Sequence, residues 1–348
     1  MAARLLALAL FLLAAPVSAE ITLPPGFTVE TYVTGQGFDL SPERGSRGIP
    51  AMATISFDRS GALYLAKTAF RFRENPGDEL GPIYRTPAGG ARITPETEPR
   101  YLYGPPLWNP DVAGVNAQGE IFVSTYDRER KIGALYQIKN GRAVLFAGGS
   151  PPPGTPPLLK DPEGVAFDAS GNVYVVDREQ GIVVKLDHTG KVLDPRYLTD
   201  LGRGRALAFD TKGQLWIASD GPFGGPFQDG SGQIWKAGPD GSLTQVLQGP
   251  LPSGISLSPG GALFVALRRA GKILALTPDG KHIEFASFTE SFLRTLAFAP
   301  VTEETRRAGI AGDLFVVTSP RMNFAVSEVI RISGPFDDFV RREGGASR

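Results

Sequence analysis

The sequence predicts an all-β fold, a six-bladed β-propeller with four strands in each blade, and three observations carry that prediction. A two-strand unit joined by a glycine turn recurs six times along the chain. A third strand follows every unit, and a fourth follows all but the last. One further strand, FTVETYV (27–33), stands in front of the first unit, placed to supply the strand that the sixth unit lacks. The 43 glycines and 30 prolines among 348 residues suit many short elements separated by turns better than they suit helices.

The six units are ATISFDRSGALYLA (53–66), DVAGVNAQGEIFVST (111–125), EGVAFDASGNVYVVD (163–177), RALAFDTKGQLWIASD (205–220), SGISLSPGGALFVAL (253–267) and RTLAFAPVTEETRRAGIAGDLFVVT (294–318), the last with an insertion in its turn. Each reads as an apolar strand, a turn closed by glycine, and an alternating strand. Glycine supplies the positive φ of a tight hairpin, and an Asp or Asn at the turn start caps it. Third strands follow in GPIYRTP, GALYQIKNG, GIVVKLDHTG, GQIWKAGPDG, GKILALTPDG and SEVIRISG, and fourth strands in PRYLYG, AVLFAGG, PRYLTDL, TQVLQGP and HIEFASF. The turn glycines 61, 119, 171, 213, 261 and 312 are spaced by about 42 to 58 residues, a range that blades with loops of varied length produce. A strand shared between the two ends of the chain closes such a ring and removes its exposed edge. A two-domain sandwich would leave that strand unexplained.

Residues 1–19, MAARLLALALFLLAAPVSA, place Arg4 ahead of an apolar run from Leu5 to Ala15 and end in small residues. That is the pattern of a secretory signal cut after Ala19, so the protein is expected to be secreted or periplasmic. The propeller is expected over 20–340, with a short disordered tail at 341–348. No stretch is apolar for the roughly 20 residues that a spanning helix needs. With no cysteine to form disulfides, stability has to come from the core. Lys plus Arg and Asp plus Glu balance at 36 each, which gives no electrostatic reason to expect nucleic acid or an anionic membrane as partner.

PEGVAFDASGNVYVVD, in the third unit, closely resembles the NHL repeat. The six-unit plan resembles the wider class of TolB-like six-bladed propellers, which contains NHL proteins, the gluconolactonase family and the soluble quinoprotein sugar dehydrogenases. LPPGFTVETYV near the start and GDLFVVTSPRMNFAVSEVIRI near the end are similar to the opening and closing of quinoprotein sorbosone and glucose dehydrogenases. The resemblance covers nearly all of the chain after residue 19 at the level of fold, and function does not follow from fold alone.

In a propeller the residue that opens each first strand sits around the channel mouth. The register of the six units makes that ring Ala53, Asp111, Glu163, Arg205, Ser253 and Arg294. The gluconolactonase resemblance implies that Glu163, in E-G-V where that family has E-G-P, holds a divalent cation that polarises a lactone carbonyl. The other blades bring Ser253, Arg294 and Ala53 where that family brings Asn and Asp. An oxygen-rich site for Ca2+ or another divalent cation would have to draw on Glu163, Asp111, Asp177 and Asp220, and neighbouring guanidiniums oppose it. The alternatives are that Arg205 and Arg294 neutralise Glu163 and Asp111, or that they grip a carboxylate or phosphate through their planar forks.

The quinoprotein resemblance implies a histidine base beside the cofactor. The sequence holds only His188 and His282, both in hairpins at blade peripheries. The loops expected on the mouth face are 67–82, with Phe70, Arg71, Phe72 and Arg73; 125–133; 219–232, with Phe223 and Phe227; and 319–327, with Arg321, Met322 and Phe324. Long loops rich in aromatics and arginines on a rigid scaffold are binding surfaces. The reading is an exported scaffold that binds a small polar or acidic molecule or a protein loop at its mouth. A metal-dependent lactone or ester hydrolase and a quinone-dependent sugar dehydrogenase without its histidine are the alternatives.

Overall fold

Alternation of apolar and polar residues in short β-branched runs makes strands, and six sets of them radiate from one axis. The computed structural model describes residues 21–38, 47–67, 80–127, 129–224, 230–277 and 280–345. Blade 2 pairs Asp111–Val115, Ile121–Asp127, Ile132–Lys139 and Arg142–Gly148 in sequence order from the inside outward. Blade 3 does the same with Pro162–Phe167, Val173–Asp177, Ile182–Leu186 and Val192–Leu198. Blade 4 uses Gly204–Phe209, Leu215–Ser219, Gly232–Ala237 and Leu243–Gly249. Blade 5 uses Pro252–Leu257, Leu263–Leu267, Lys272–Leu276 and His282–Phe288.

Blade 6 closes the ring as the sequence predicts. Its chain-terminal strands Ser291–Phe298, Leu314–Pro320 and Val326–Ser333 are completed by the N-terminal strand Thr28–Gly35, with Thr28 opposite Ser333 and Val33 opposite Val329.

Three features depart from the predicted plan. Blade 1 has three regular strands, Met52–Phe57, Leu63–Lys67 and Ile83–Thr86, and its fourth, read at PRYLYG, shrinks to one bridge between Tyr84 and Leu102. Pro99, Pro105 and Pro106 remove the donors a longer ladder would need. The segment Ala91–Ile93 instead pairs in parallel with Thr28–Gly35, tying blade 1 to the closing blade. Ile21–Thr22 adds a fifth strand to the outer edge of blade 5. At the other end, the helix Phe336–Gly345 continues past residue 340, where the sequence placed the start of a tail, because Phe336, Phe339 and Val340 bury one of its faces. Residues 346–348 and the predicted signal lie outside the described residues.

The core is divided among the seams between blades. Phe122 and Leu135 of blade 2 pack with Val165, Val173 and Val175 of blade 3, and Tyr174 and Val176 of blade 3 with Leu207, Leu215 and Ile217 of blade 4. The other four seams are filled in the same way. A repeated aromatic contact marks four of them. Phe122 meets Phe167, Tyr174 meets Phe209, Phe264 meets Phe298 and Phe315 meets Phe57, with ring centroids 4.7–5.2 Å apart. Each pair adds about 1 kcal/mol beyond the area it buries, so blade-to-blade packing rather than any one blade sets the rigidity of the mouth.

Candidate functional site

The innermost strands surround an axial channel of about 370 Å3, with Glu163, Arg205 and Ser253 among its lining residues. The ladder between first and second strands slips where the ring residues stand. The register breaks between Gly204 and Ala206, between Pro252 and Gly254, and between Leu293 and Thr295, leaving Arg205, Ser253 and Arg294 unpaired in the ladder. The breaks in blades 1 and 3 span Ala53–Thr54 and Glu163–Gly164. In blade 2 the slip falls deeper, at Ala113, and Asp111 stays in register opposite Ser124. A bulge of this kind re-aims the side chain it carries, so the register predicted from sequence marks the places where the sheet releases side chains to the mouth.

The charged members of the ring are drawn into one network. Arg205 lies 3.6 Å from Glu163 and donates to Asp220 Oδ2 at 3.0 Å. Arg178, on the connection after blade 3's second strand, reaches the same Asp220 oxygen at 3.1 Å, Glu163 at 3.6 Å and Asp161 at 3.8 Å. Asp220 is fully buried and its Oδ1 has no hydrogen-bond partner among the described residues. Burial opposes the charge on Arg205, but Asp220 and Glu163 outweigh it and hold the guanidinium above its ordinary value. The expectation that Arg205 neutralises Glu163 is met; Asp220 and Arg178 share the task.

Arg294 differs. Among the described residues its side chain has no hydrogen bond and no ion pair, and the predicted pairing with Asp111 does not form. Burial, and then the Arg205 charge, push its guanidinium below the ordinary value, while Asp111 and Glu163 offset this only partly. Arg268, on the connection after blade 5's second strand, is pushed down to about 9 by burial and by Arg205. Ser253 is buried and donates to Ala266 O at 3.3 Å within its own blade, so its hydroxyl is spent on structure.

The four carboxylates offered for a cation are not brought together. Among the described residues no three His, Cys, Asp or Glu side chains form a group that could hold a metal ion. Asp177 shows why. It is fully buried and accepts from the amides of Lys160 at 2.5 Å, Asp161 at 3.2 Å and Gln180 at 2.9 Å, and from the Gln180 side chain at 3.2 Å. It fastens the chain entering blade 3 instead of facing the mouth, and burial pushes its carboxyl up despite those donors. Glu163 and Asp220 are occupied by guanidiniums, which leaves a cation no cluster of available oxygens. His188 and His282 are exposed, the first in the turn after Ile182–Leu186 and the second opening His282–Phe288, so the mouth contains no histidine.

Of the mouth loops, 68–79 and 225–229 lie outside the described residues, and with them Phe70, Arg71, Phe72, Arg73 and Phe227. Phe223 is half exposed and covers Gly181. Phe324 stacks on Phe292 at 4.7 Å, and the Arg321 guanidinium lies 4.8 Å from the Phe292 centroid. Arg178 and Arg268 escaped the sequence reading. Both occupy the position directly after the second strand, as Asp220 does in blade 4, and the aligned units show all three.

No protein-family model and no curated protein matches the sequence. Solved structures do match. A gluconolactonase from Xanthomonas campestris aligns over 83% of this chain and 87% of its own, at 14% identity and TM-score 0.58. The PQQ-bound aldose sugar dehydrogenase of Streptomyces coelicolor aligns over 90% and 99%, at 15% and 0.57. An auxiliary nutrient binding protein from Bacteroides ovatus aligns over 89% and 77%, at 10% and 0.56. At such identities the likeness is one of architecture: the chain is a six-bladed β-propeller with the fold of gluconolactonases and soluble sugar dehydrogenases.

Proposed function

We propose that this protein is an exported propeller that binds a small acidic ligand at its channel mouth. The observation that carries the reading is Arg294, a charged guanidinium at the ring position of blade 6 that the described residues leave without a hydrogen bond or ion pair, whereas Arg205 is paired with Asp220 and Glu163. A buried or half-buried charge without a partner is costly, and a carboxylate or phosphate supplies the missing one through a planar two-point contact. The channel below the ring leaves room for the rest of a small molecule. Export rests on the pattern of Arg4, the apolar run 5–15 and Ala19, and N-terminal sequencing of the released protein is expected to begin at Glu20. No helix among the described residues is long and apolar enough to cross a membrane.

Thermal denaturation in the presence of acetate, succinate, methyl phosphate and calcium tests the reading. A ligand at 100 times its Kd stabilises the folded state by about 2.7 kcal/mol, so at least one of the anions is expected to raise the midpoint, and Arg294→Gln is expected to remove the rise. A protein unmoved by every anion, or stabilised by calcium alone, overturns the proposal.

A further inference from the structure

The segment 320–325 connects the second and third strands of blade 6, and its backbone is tied down at both ends. At its start Arg321 N donates to Glu290 O at 3.0 Å, just ahead of the strand Ser291–Phe298. At its end Ala325 O accepts from Ala51 N at 2.9 Å, beside Met52, which opens the first strand of blade 1. Between these ties Asn323 N donates to Pro320 O at 3.1 Å, and the Asn323 side chain accepts from Ala325 N at 3.0 Å. The segment therefore runs across the entrances of the inner strands of blades 6 and 1, and it carries Phe324 there in a fixed turn.

Phe324 stacks on Phe292 of the inner strand, with centroids 4.7 Å apart and ring planes 26° apart. The Arg321 guanidinium lies 4.8 Å from the Phe292 centroid and is itself fixed, its Nε donating to Thr289 O at 3.0 Å and a terminal nitrogen to Arg269 O at 2.8 Å. A cation and a ring thus hold Phe292, and Phe292 sets the plane of Phe324. Phe324 nevertheless stays 37% exposed. An aromatic face held rigid in solvent is a stacking surface that needs little ordering to be used. Phe292 and Arg294 are two residues apart on one strand, a rise of about 7 Å. Both keep some exposure, on either side of Leu293, which is fully buried. The stack and the guanidinium that lacks a hydrogen bond or ion pair are neighbours at one strand entrance.

We propose that the mouth binds a small aromatic carboxylate, its ring laid on Phe324 and its acid group paired with Arg294. The inference rests on the reading of the mouth as an anion site and adds the body of the ligand. A planar ring extends the stack of Phe292 and Phe324 by one member, and stacked rings gain more than the area they bury. An alkyl body gains the area alone. The carboxylate supplies Arg294 with the two-point contact it lacks. A short aryl acid, with the carboxylate on the ring or one carbon away, spans a separation of the order that divides Phe292 from Arg294.

The test is calorimetric titration of the purified protein with phenylacetate, cyclohexylacetate and acetate at pH 7.5 and low salt. The three share one carboxylate, and the two ring acids differ in planarity: cyclohexylacetate is the more apolar and cannot stack. Phenylacetate is expected to bind tenfold or more tighter than acetate and at least threefold tighter than cyclohexylacetate. Phe324→Leu keeps an apolar side chain on an exposed turn and is expected to cut the preference for phenylacetate over acetate at least fivefold. Arg321→Gln, which loosens the support of Phe292, is expected to cut the same preference several-fold. Arg294→Gln is expected to abolish binding of all three acids. Arg294→Lys, which keeps the charge, is expected to retain most of the binding and guards against misfolding in the Gln variant. Acetate binding as tightly as phenylacetate, with Arg294 still required, overturns the aromatic body and leaves the anion site standing. Cyclohexylacetate binding as tightly as phenylacetate overturns the stacking. A preference for phenylacetate that survives Phe324→Leu and is lost in Phe223→Leu moves the ring to blade 4 and overturns its place. Failure of every acid removes the proposed function as well.

Discussion

Asp220 and Glu163 look equivalent as acids in the mouth, and distance and burial separate them. Asp220 is fully buried and gives one oxygen to two guanidiniums at 3.0 and 3.1 Å, whereas Glu163 keeps some exposure and stands 3.6 Å from the same two arginines, beyond a good hydrogen bond. Removing one partner of a buried pair costs about 3 kcal/mol or more because the other charge is stranded. Asp220→Ala is therefore expected to lower the free energy of urea unfolding by about 3 kcal/mol, and Glu163→Gln by about 1 kcal/mol or less. Glu163→Gln is also expected to tighten anion binding, since it frees part of Arg205 and removes a negative charge from the mouth; a carboxylate needed to hold a cation would give loss instead. Glu163 and Arg205 were legible because the repeat register marks the strand entrance. Arg178 and Arg268 were missed although they share a column with Asp220, because the motif V-V-D draws the eye to Asp177. Neighbours on a strand face opposite ways, and the acid one residue earlier turns to backbone amides while the arginine turns to the mouth.

At the scale of elements, the repeat predicted the strands and said little about what joins one blade to the next. The turn between third and outer strands of blade 3 presses Gly190, at φ +91°, against the carbonyl of Phe146 in blade 2, and a Cβ there would collide with that oxygen. Gly90 in blade 1 meets Tyr32 O of the closing strand in the same way, at φ +78°. Both glycines thus serve a left-handed backbone and a close approach together. Gly190→Ala is expected to cost about 3 kcal/mol, the left-handed penalty plus the displaced carbonyl, while Gly171→Ala, whose nearest neighbour is 3.9 Å away, is expected to cost about 1 kcal/mol from φ alone. Equal losses in the two melts would refute the packing role. The sequence showed a glycine at every turn and could not show which ones touch another blade, since that depends on the rotation between blades. The lost fourth strand of blade 1 was hidden for a related reason: PRYLYG alternates like a strand, but its flanking prolines limit the ladder and Ala91–Ile93 goes to the closing strand instead.

For the whole molecule, closure was the most legible feature, because a strand with no blade and a blade with no fourth strand imply each other. The structure adds that closure is double. Thr28–Gly35 completes blade 6, and Phe27 just before it packs with Phe285 at 4.9 Å, Phe336 at 5.0 Å and Phe339 at 6.0 Å, joining the start of the ring to the C-terminal helix. Ile21–Thr22 only lengthens the edge of blade 5. Two truncations, each made in a chain started at Glu20, separate these roles. Removing 21–26 deletes the edge strand and spares Phe27 and the closing strand, so the protein is expected to unfold in one transition with a slightly lowered midpoint. Removing 21–35 exposes the edge of Val326–Ser333 and unlinks blade 6 from Ala91–Ile93. An open edge of that length invites pairing between molecules, and the ring loses the contact that makes its blades one cooperative unit. The expected result is aggregation or a broad, multi-step melt, with anion binding lost because Arg294 stands on the first strand of blade 6, the blade that loses its closing strand. A single sharp transition with retained anion binding after removal of 21–35 would show that the blades hold the mouth without closure.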